Sequence, residues 1–223
     1  MTPTTTKKRT PRPRWRRRKQ ARPSEIIAAG LDLFVERGYA ATKLEDVARR
    51  AGVSKGTMYL YFDSKESLFR AVVRDALGPI YEAGETLIEE HQGSTRELLS
   101  AFMRRWWESI GESRLSGLPK LVISESRNFP ELARLYHEEV VAPGRELFAR
   151  VLKRGIARGE FRAVDIRYAL RVLGAPIVFA TIWKHSMASC EPEPFDFSRY
   201  IDTHVDLALN GLVPREGKGA TRA

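Results

Sequence analysis

An all-α fold is predicted, with a three-helix unit near the N-terminus and a larger helical bundle behind it. Three observations carry that prediction. Apolar residues recur at spacings of three and four through most of the chain, as one face of a helix requires. No stretch alternates apolar and polar residues as a strand does, and no internal repeat is visible. Between 42 and 65, TKLEDVARRAGVSKGTMYLYFDSK reads as two short helices around a tight turn, with a third helix starting directly after.

Taken in order, the chain opens on a basic segment. Residues 1–22 carry Lys7, Lys8, Arg9, Arg12, Arg14, Arg16, Arg17, Arg18, Lys19 and Arg22, and no acid precedes Glu25. The net charge of the 223 residues is +10, so these side chains hold the whole excess and the rest of the chain is formally neutral. Pro11, Pro13 and Pro23 argue against a stable helix, so a disordered arm is expected. Such an arm suits a phosphate backbone or a minor groove, with Arg14, Arg16, Arg17 and Arg18 as its candidate contacts. A solubilising tail is the alternative. An export signal is a poor fit, because Glu25, Asp32 and Glu36 interrupt the apolar stretch that follows. That stretch reads as an amphipathic helix with Ile27, Leu31 and Phe34 on one face, capped by Ser24 and ended by Gly38.

Thr42 and Glu45 form a Thr-x-x-Glu capping box for the next helix. Leu44, Val47 and Ala51 give it one apolar face, and Gly52 stops it because glycine takes the left-handed conformation without penalty. Val53 plugs the turn, and Ser54 caps a further helix from Lys55 to about Tyr61, closed by Phe62. Ala48 is small where the two helices cross, and Met58 points to the core. Two helices crossing steeply over a short glycine turn make a helix-turn-helix, here over residues 44–63, whose second helix enters the DNA major groove. Its outward side offers the donors Ser54, Lys55, Thr57, Tyr59 and Tyr61, with Gly56 adding no bulk and no acid between Asp46 and Asp63. An αα-hairpin with a solvated polar face is the alternative reading, although such faces usually mix acids with bases. Lys55 and Thr57 lie early on the helix, within reach of base edges. Tyr59, Tyr61 and Lys65 are expected to hold phosphates, with Thr42 and Lys43 as further contacts.

From residue 24 to about residue 73, SEIIAAGLDLFVERGYAATKLEDVARRAGVSKGTMYLYF and the following DSKESLF resemble the DNA-binding domain of the TetR family of bacterial transcriptional regulators. The resemblance is close and in order over that stretch and extends to the rest only in general plan. It implies a helical DNA-binding domain over 23–73, a helical ligand-binding and dimerisation domain over 74–212, a homodimer, and repression relieved by a ligand in a C-terminal cavity. It also supports the phosphate-holding role of Tyr59, Tyr61 and Lys65.

Beyond the turn, Ser64 caps a long helix to about His91, and a kink is expected at Gly78-Pro79 because Pro79 has no amide proton to donate. That kink reads equally as a lever between two sites or as a fit to packing. Further helices are expected from Thr95 to about Ile110, from about Leu118 to Arg127, and from Pro130 to about Ile156 with a bend at Pro143-Gly144. Gly159 closes that region. Asp165 caps a helix to about Met187, and the last runs from about Ser198 to Asn210, before a Gly-rich basic tail, 213–223, expected to be disordered. Phe102, Trp106, Phe179 and Trp183 are the candidate ligand-binding residues, although an aromatic stripe at helical spacing serves a core as readily as a pocket. The last two helices are expected to pair with their copies in a four-helix bundle. Gly174 and Ala175 would permit close approach, with Leu170, Leu173, Ile177, Ile201, Val205 and Leu209 in apolar contact.

Other functions find little support. The longest apolar run, 172–183, falls short of the ~18–20 residues of a membrane span. Cys190 is the only cysteine, so no intrachain disulfide forms, which fits a cytoplasmic protein. His91, His137, His185 and His204 lie far apart, and no metalloprotease, nucleophile-elbow or phosphate-loop motif is present. No enzyme, cofactor or metal site is expected. Two function classes stay in play: a dimeric repressor released from a palindromic operator by a small apolar or aromatic ligand, and a sequence-tolerant nucleic-acid-coating protein that uses the basic arm.

Overall fold

The computed structural model describes residues 23–214. The arm with Arg14, Arg16, Arg17 and Arg18, and the tail from 215, lie outside the described residues. Among the described residues the fold is all helical, without strands.

Helix α1 (Pro23–Ala41) buries Ile26, Ala29, Gly30, Leu33 and Phe34, while Ile27 and Leu31 sit at the edge of that face, one step round from the expected stripe. Gly38, at φ 82°, interrupts the helix before its final turn. Tyr39 then turns inward, and its ring meets the edges of Phe69 and Phe129 at 5.8 and 5.1 Å. Helices α2 (Leu44–Arg50) and α3 (Lys55–Tyr61) follow, joined through Gly52 at φ 70°. Ser54 Oγ accepts the Thr57 amide at 3.1 Å, the cap that starts α3.

The expected capping box at Thr42 does not form. Lys43 occupies the cap position and makes no side-chain cap bond. The buried Thr42 hydroxyl donates instead to the carbonyls of Gly38 (2.7 Å) and Leu33 (3.1 Å). The left-handed backbone at Gly38 takes the chain out of the helical ladder there, and the Thr42 hydroxyl supplies a donor to the Gly38 carbonyl.

Helix α4 (Lys65–Glu90) starts at a capping box between Ser64 and Ser67 and runs as one element through Pro79. Helix α5 (Thr95–Trp106) opens on a second capping box, Ser94 with Glu97, and widens into a π-helical turn over Trp107–Gly111. Next come α6 (Gly117–Glu125) and α7 (Pro130–Tyr136). A second π-helical turn, His137–Val141, leads into α8 (Ala142–Ala157). Asp165 caps α9 (Ile166–Lys184), and α10 (Phe197–Leu212) ends the fold. The whole of α9, not only 172–183, is long and apolar enough to cross a membrane on length and composition alone.

Two apolar cores form, and their border does not follow residue 73. The first joins α1, α2, α3 and the start of α4 to Leu118, Leu121 and Val122 of α6 and to Leu132 and Leu135 of α7. The second gathers the end of α4 with α5, α8, α9 and α10. Polar ties follow the same seam. Glu125 at the end of α6 accepts the Ala40 amide at 3.1 Å, and Arg114 pairs with Asp32 of α1. Glu139, in the second π-turn, takes Arg70 and Arg74 of α4.

Candidate DNA interface and ligand cavity

The outward side of α3 carries exposed Lys55, Gly56, Tyr59, Leu60 and Tyr61, with Ser54 at its start, Lys43 at the start of α2, and Thr57 half-buried. Leu60 is 79% exposed, an apolar side chain that no packing accounts for. A Cβ added at Gly56 would meet only Ser54 Oγ, at 3.9 Å, so nothing within the protein demands a glycine there. The face is less uniformly basic than the local sequence suggests. Glu45 reaches across from α2, pairs with Lys55 Nζ at 2.8 Å and accepts the Tyr59 hydroxyl at 3.2 Å. The Lys55 hydrogen bond is the main reason its pKa falls to about 2, and Lys55 is raised in return.

Two predicted contacts turn inward. Thr42 is buried and bonded to α1 as described. Lys65 is half-buried, and its ammonium donates to the Tyr39 and Ala40 carbonyls at 2.6 and 3.3 Å. It also lies 4.4 Å over the Tyr39 ring, and burial lowers its pKa. Both side chains fasten the last turn of α1, because the Gly38 break leaves carbonyls there that need donors.

Behind the DNA-facing unit lies a cavity of about 640 Å³, within the size range of small-molecule sites. Leu77 of α4, Trp106 of α5, Leu118 and Val122 of α6, Tyr136 of α7, Phe148 of α8 and Ile177 of α9 wall it. Both π-turns border it, through Ile110 and through Val140 and Val141. Such turns often sit at functional sites. Of the four predicted ligand residues, Trp106 and Phe179 line the cavity. Phe102 is not among its lining residues: it is buried behind the wall, edge-on to Phe148 at 4.7 Å and stacked on Trp106. Trp183 also falls outside, because its indole N–H donates to Glu191 at 3.1 Å in the loop after α9. Arg145 and Arg171 are the only Lys, Arg, Asp or Glu residues lining it among the described residues.

Four of the predicted dimer contacts turn inward. Leu173, Ile177, Ile201 and Val205 are buried in the second core of the single chain, and Leu170 and Leu209 pack against it. Gly174 lines the cavity. Helix α9 uses its buried face against α6, α8 and α10, and α10 uses its own against α5 and α9, which leaves other faces bare. The exposed stripe is Tyr168, Val172, Ala175 and Phe179 on α9, at helical spacing, with Leu207 on α10. Val172 is 70% and Leu207 66% exposed.

The family described as "Bacterial regulatory proteins, tetR family" matches residues 26–72, and "Tetracyclin repressor-like, C-terminal domain" matches 89–191. The HTH-type transcriptional repressor KstR2 of Rhodococcus jostii (strain RHA1) is 30% identical over 167 residues, 74% of this chain and 80% of that protein. The chain belongs to the TetR family. The fatty acid metabolism regulator protein of Bacillus subtilis (strain 168) is 27% identical over 198 residues, 87% of this TetR-family chain and 98% of that protein. The crystal structure of FadR from Bacillus subtilis in complex with stearoyl-CoA shares the fold, with a TM-score of 0.74 at 24% identity over 86% of this chain and 100% of that one. As a TetR-family member the chain is a DNA-binding transcriptional regulator and not an enzyme, and the sequence-tolerant coating role is set aside.

Sequence reasoning on this TetR-family chain missed Glu45, because its contact with Lys55 exists only once α2 packs on α3. It also missed Leu77, Arg145 and Arg171 as cavity residues. Leu77 reads as one more apolar position of a long helix, and the arginines read as solvated charges. Only the assembly of six helices around one space reveals them.

Proposed function

We propose that the protein is a dimeric repressor whose α3 helices read a palindromic operator, and that an apolar ligand in the cavity releases it. One observation carries the reading. Leu77 belongs to the first core, which holds the DNA-facing helices, and it is also part of the cavity wall. Leu118 and Val122 of α6 share both memberships. A ligand that pushes on this wall therefore pushes on the packing of α1 and α4 directly. The relatives named for fatty acid metabolism and for a stearoyl-CoA complex support an extended apolar ligand.

In this reading residues 23–73 bind DNA, with Lys55 and Thr57 toward base edges, Leu60 available to a thymine methyl, and Lys43, Ser54, Tyr59 and Tyr61 toward phosphates. Gly56 lets the backbone of α3 approach closely. Residues 74–212 hold the ligand and dimerise through the exposed stripe of α9 and α10. That stripe gives α9 a protein partner in place of a lipid one, in keeping with a cytoplasmic regulator. A two-fold dimer sets its recognition helices about one DNA turn apart, roughly 34–36 Å or a multiple.

The test is a DNA fragment bordering the protein's own gene, titrated by fluorescence anisotropy with and without saturating ligand. Coupling of this kind is typically ~1–3 kcal/mol and reciprocal, so operator must weaken ligand binding by the factor by which ligand weakens operator binding. Equal ligand affinity with and without operator would sink the release mechanism.

A further inference from the structure

We propose that the cavity takes a single-chain anionic amphiphile, with its acidic head held by Arg145 and Arg171 and its hydrocarbon chain against Trp106, Phe148 and Leu77. The proposal rests on the ligand-released regulator described above and names the class of its ligand.

The argument begins with charge. The cavity wall is almost wholly apolar, yet its two fully charged side chains are both arginines, and no Asp or Glu lines it among the described residues. Arg145 stands half-buried and has no carboxylate partner there. Arg171 is exposed at the cavity and, among the described residues, bonds only the Arg167 carbonyl, at 2.7 Å. Arg150, further along the same helix as Arg145, pairs with Glu85 and Glu89. Arg70 and Arg74 share Glu139. Among the described residues, the two cavity arginines thus lack the counterion their neighbours have.

A neutral apolar ligand would displace water from the half-buried Arg145 guanidinium and return no hydrogen bond, which is unfavourable for a charge, and would leave the exposed Arg171 unused. A cationic ligand would be repelled. An anion with two or more oxygens matches the planar guanidinium fork. The Tyr136 hydroxyl, which has no hydrogen-bond partner among the described residues, adds a donor on the same cavity.

Size sets the tail. At about 30 Å³ for a water-sized group, 640 Å³ accommodates on the order of twenty such groups. That is a long alkyl chain rather than a metabolite of a few atoms. Leu77 and Leu118 of the first core and Phe148 and Ile177 of the second line the same cavity, so a chain that fills it touches both cores. Two sources share this chemistry: the carboxylate of a free long-chain acid, and the phosphates of its coenzyme A thioester.

The experiment uses the full-length protein and Trp fluorescence, with calorimetry as a second readout. The probes are hexadecanoate, hexadecanoyl-CoA, hexadecan-1-ol and coenzyme A alone, each kept below its micelle concentration. At least one anionic chain should bind about ten- to a hundredfold more tightly than hexadecan-1-ol, the range of one or two charge-assisted hydrogen bonds. The double variant Arg145→Gln/Arg171→Gln should lose that gap while binding hexadecan-1-ol as the parent does, which also reports that the cavity is intact. Arg150→Gln should keep the gap. Preference for hexadecanoate identifies a carboxylate head, and binding of the thioester alone identifies the phosphates. Equal binding of the alcohol, a gap that survives the double variant, no binding of any chain, or coenzyme A alone matching its thioester each overturns the proposal. If hexadecan-1-ol binds equally well and releases operator DNA, the regulator reading stands and only the anionic head falls.

Discussion

Glu139 offers the sharpest test of how the cavity is joined to the DNA-facing helices. Its side chain is 12% exposed and lies in the π-turn His137–Val141, whose Val140 and Val141 line the cavity. It accepts Arg70 at 3.0 Å and Arg74 at 2.7 and 2.8 Å, so one carboxylate fastens the cavity wall to α4. The variant Glu139→Gln keeps the shape and removes the charge. Three charge-assisted bonds are weakened, but both arginines are more than a third exposed and regain water. The net cost should be about 1–2 kcal/mol, between a surface pair and a buried one. For a chain of this size that lowers Tm by ~2–8 °C. The pH dependence has a definite sign. The hydrogen bond from Arg74, with the charge of both arginines, holds the Glu139 pKa below its ordinary value. Its contribution is therefore complete above the unfolded carboxylate pKa of about 4.3 and is lost as pH falls through the lower folded value. Thermal melts of parent and variant should differ by a constant amount from pH 6 to 8 and converge below about pH 4. Ligand release of DNA should be blunted in the variant at neutral pH. Identical melts at pH 7, or a gap that widens on acidification, would refute the reasoning.

Other perturbations separate structural from DNA-facing roles. Thr42→Val keeps the volume but removes the buried donor to the Gly38 and Leu33 carbonyls, so it should cost ~1–3 kcal/mol in urea unfolding while operator preference stays unchanged; a changed preference at parental stability would return Thr42 to the DNA interface. Gly56→Ala meets no obstacle within the protein and improves helix propensity, so stability should rise by up to ~1 kcal/mol while operator affinity drops. Unimpaired DNA binding in that variant would show that α3 does not approach the duplex closely there. Val172→Asp places a charge in the centre of the bare α9 stripe and should give a folded monomer by analytical ultracentrifugation; an intact dimer would move the interface elsewhere. Deleting residues 1–22 removes ten positive charges. If about three per subunit meet phosphate, the dimer's slope of log affinity against log salt should flatten by roughly five units, with operator and random DNA affected alike. An unchanged slope would make the segment a solubilising tail.

The sequence by itself determined what local chemistry controls. Gly52 and Ser54 act through their own backbone and their nearest neighbours, so the turn and the start of α3 are written into SKGT and the glycine before it. Asp165, Ser64 and the helical spacing of apolar residues likewise place the helices to within a turn. Tertiary structure decided every property that depends on which helices meet. The interrupted end of α1 at Gly38 creates carbonyls that recruit Thr42 and Lys65, two side chains that otherwise look like DNA contacts. Packing of α2 on α3 brings Glu45 to Lys55, an acid in a face that has none along its own strand of sequence. On α9, period alone shows several apolar faces at once. Only burial against α6, α8 and α10 assigns Leu173 and Ile177 to the core and leaves Tyr168 and Val172 outside. The cavity arginines are the extreme case: the meaning of Arg145 and Arg171 comes from the apolar walls and the missing carboxylates around them, which belong to other helices.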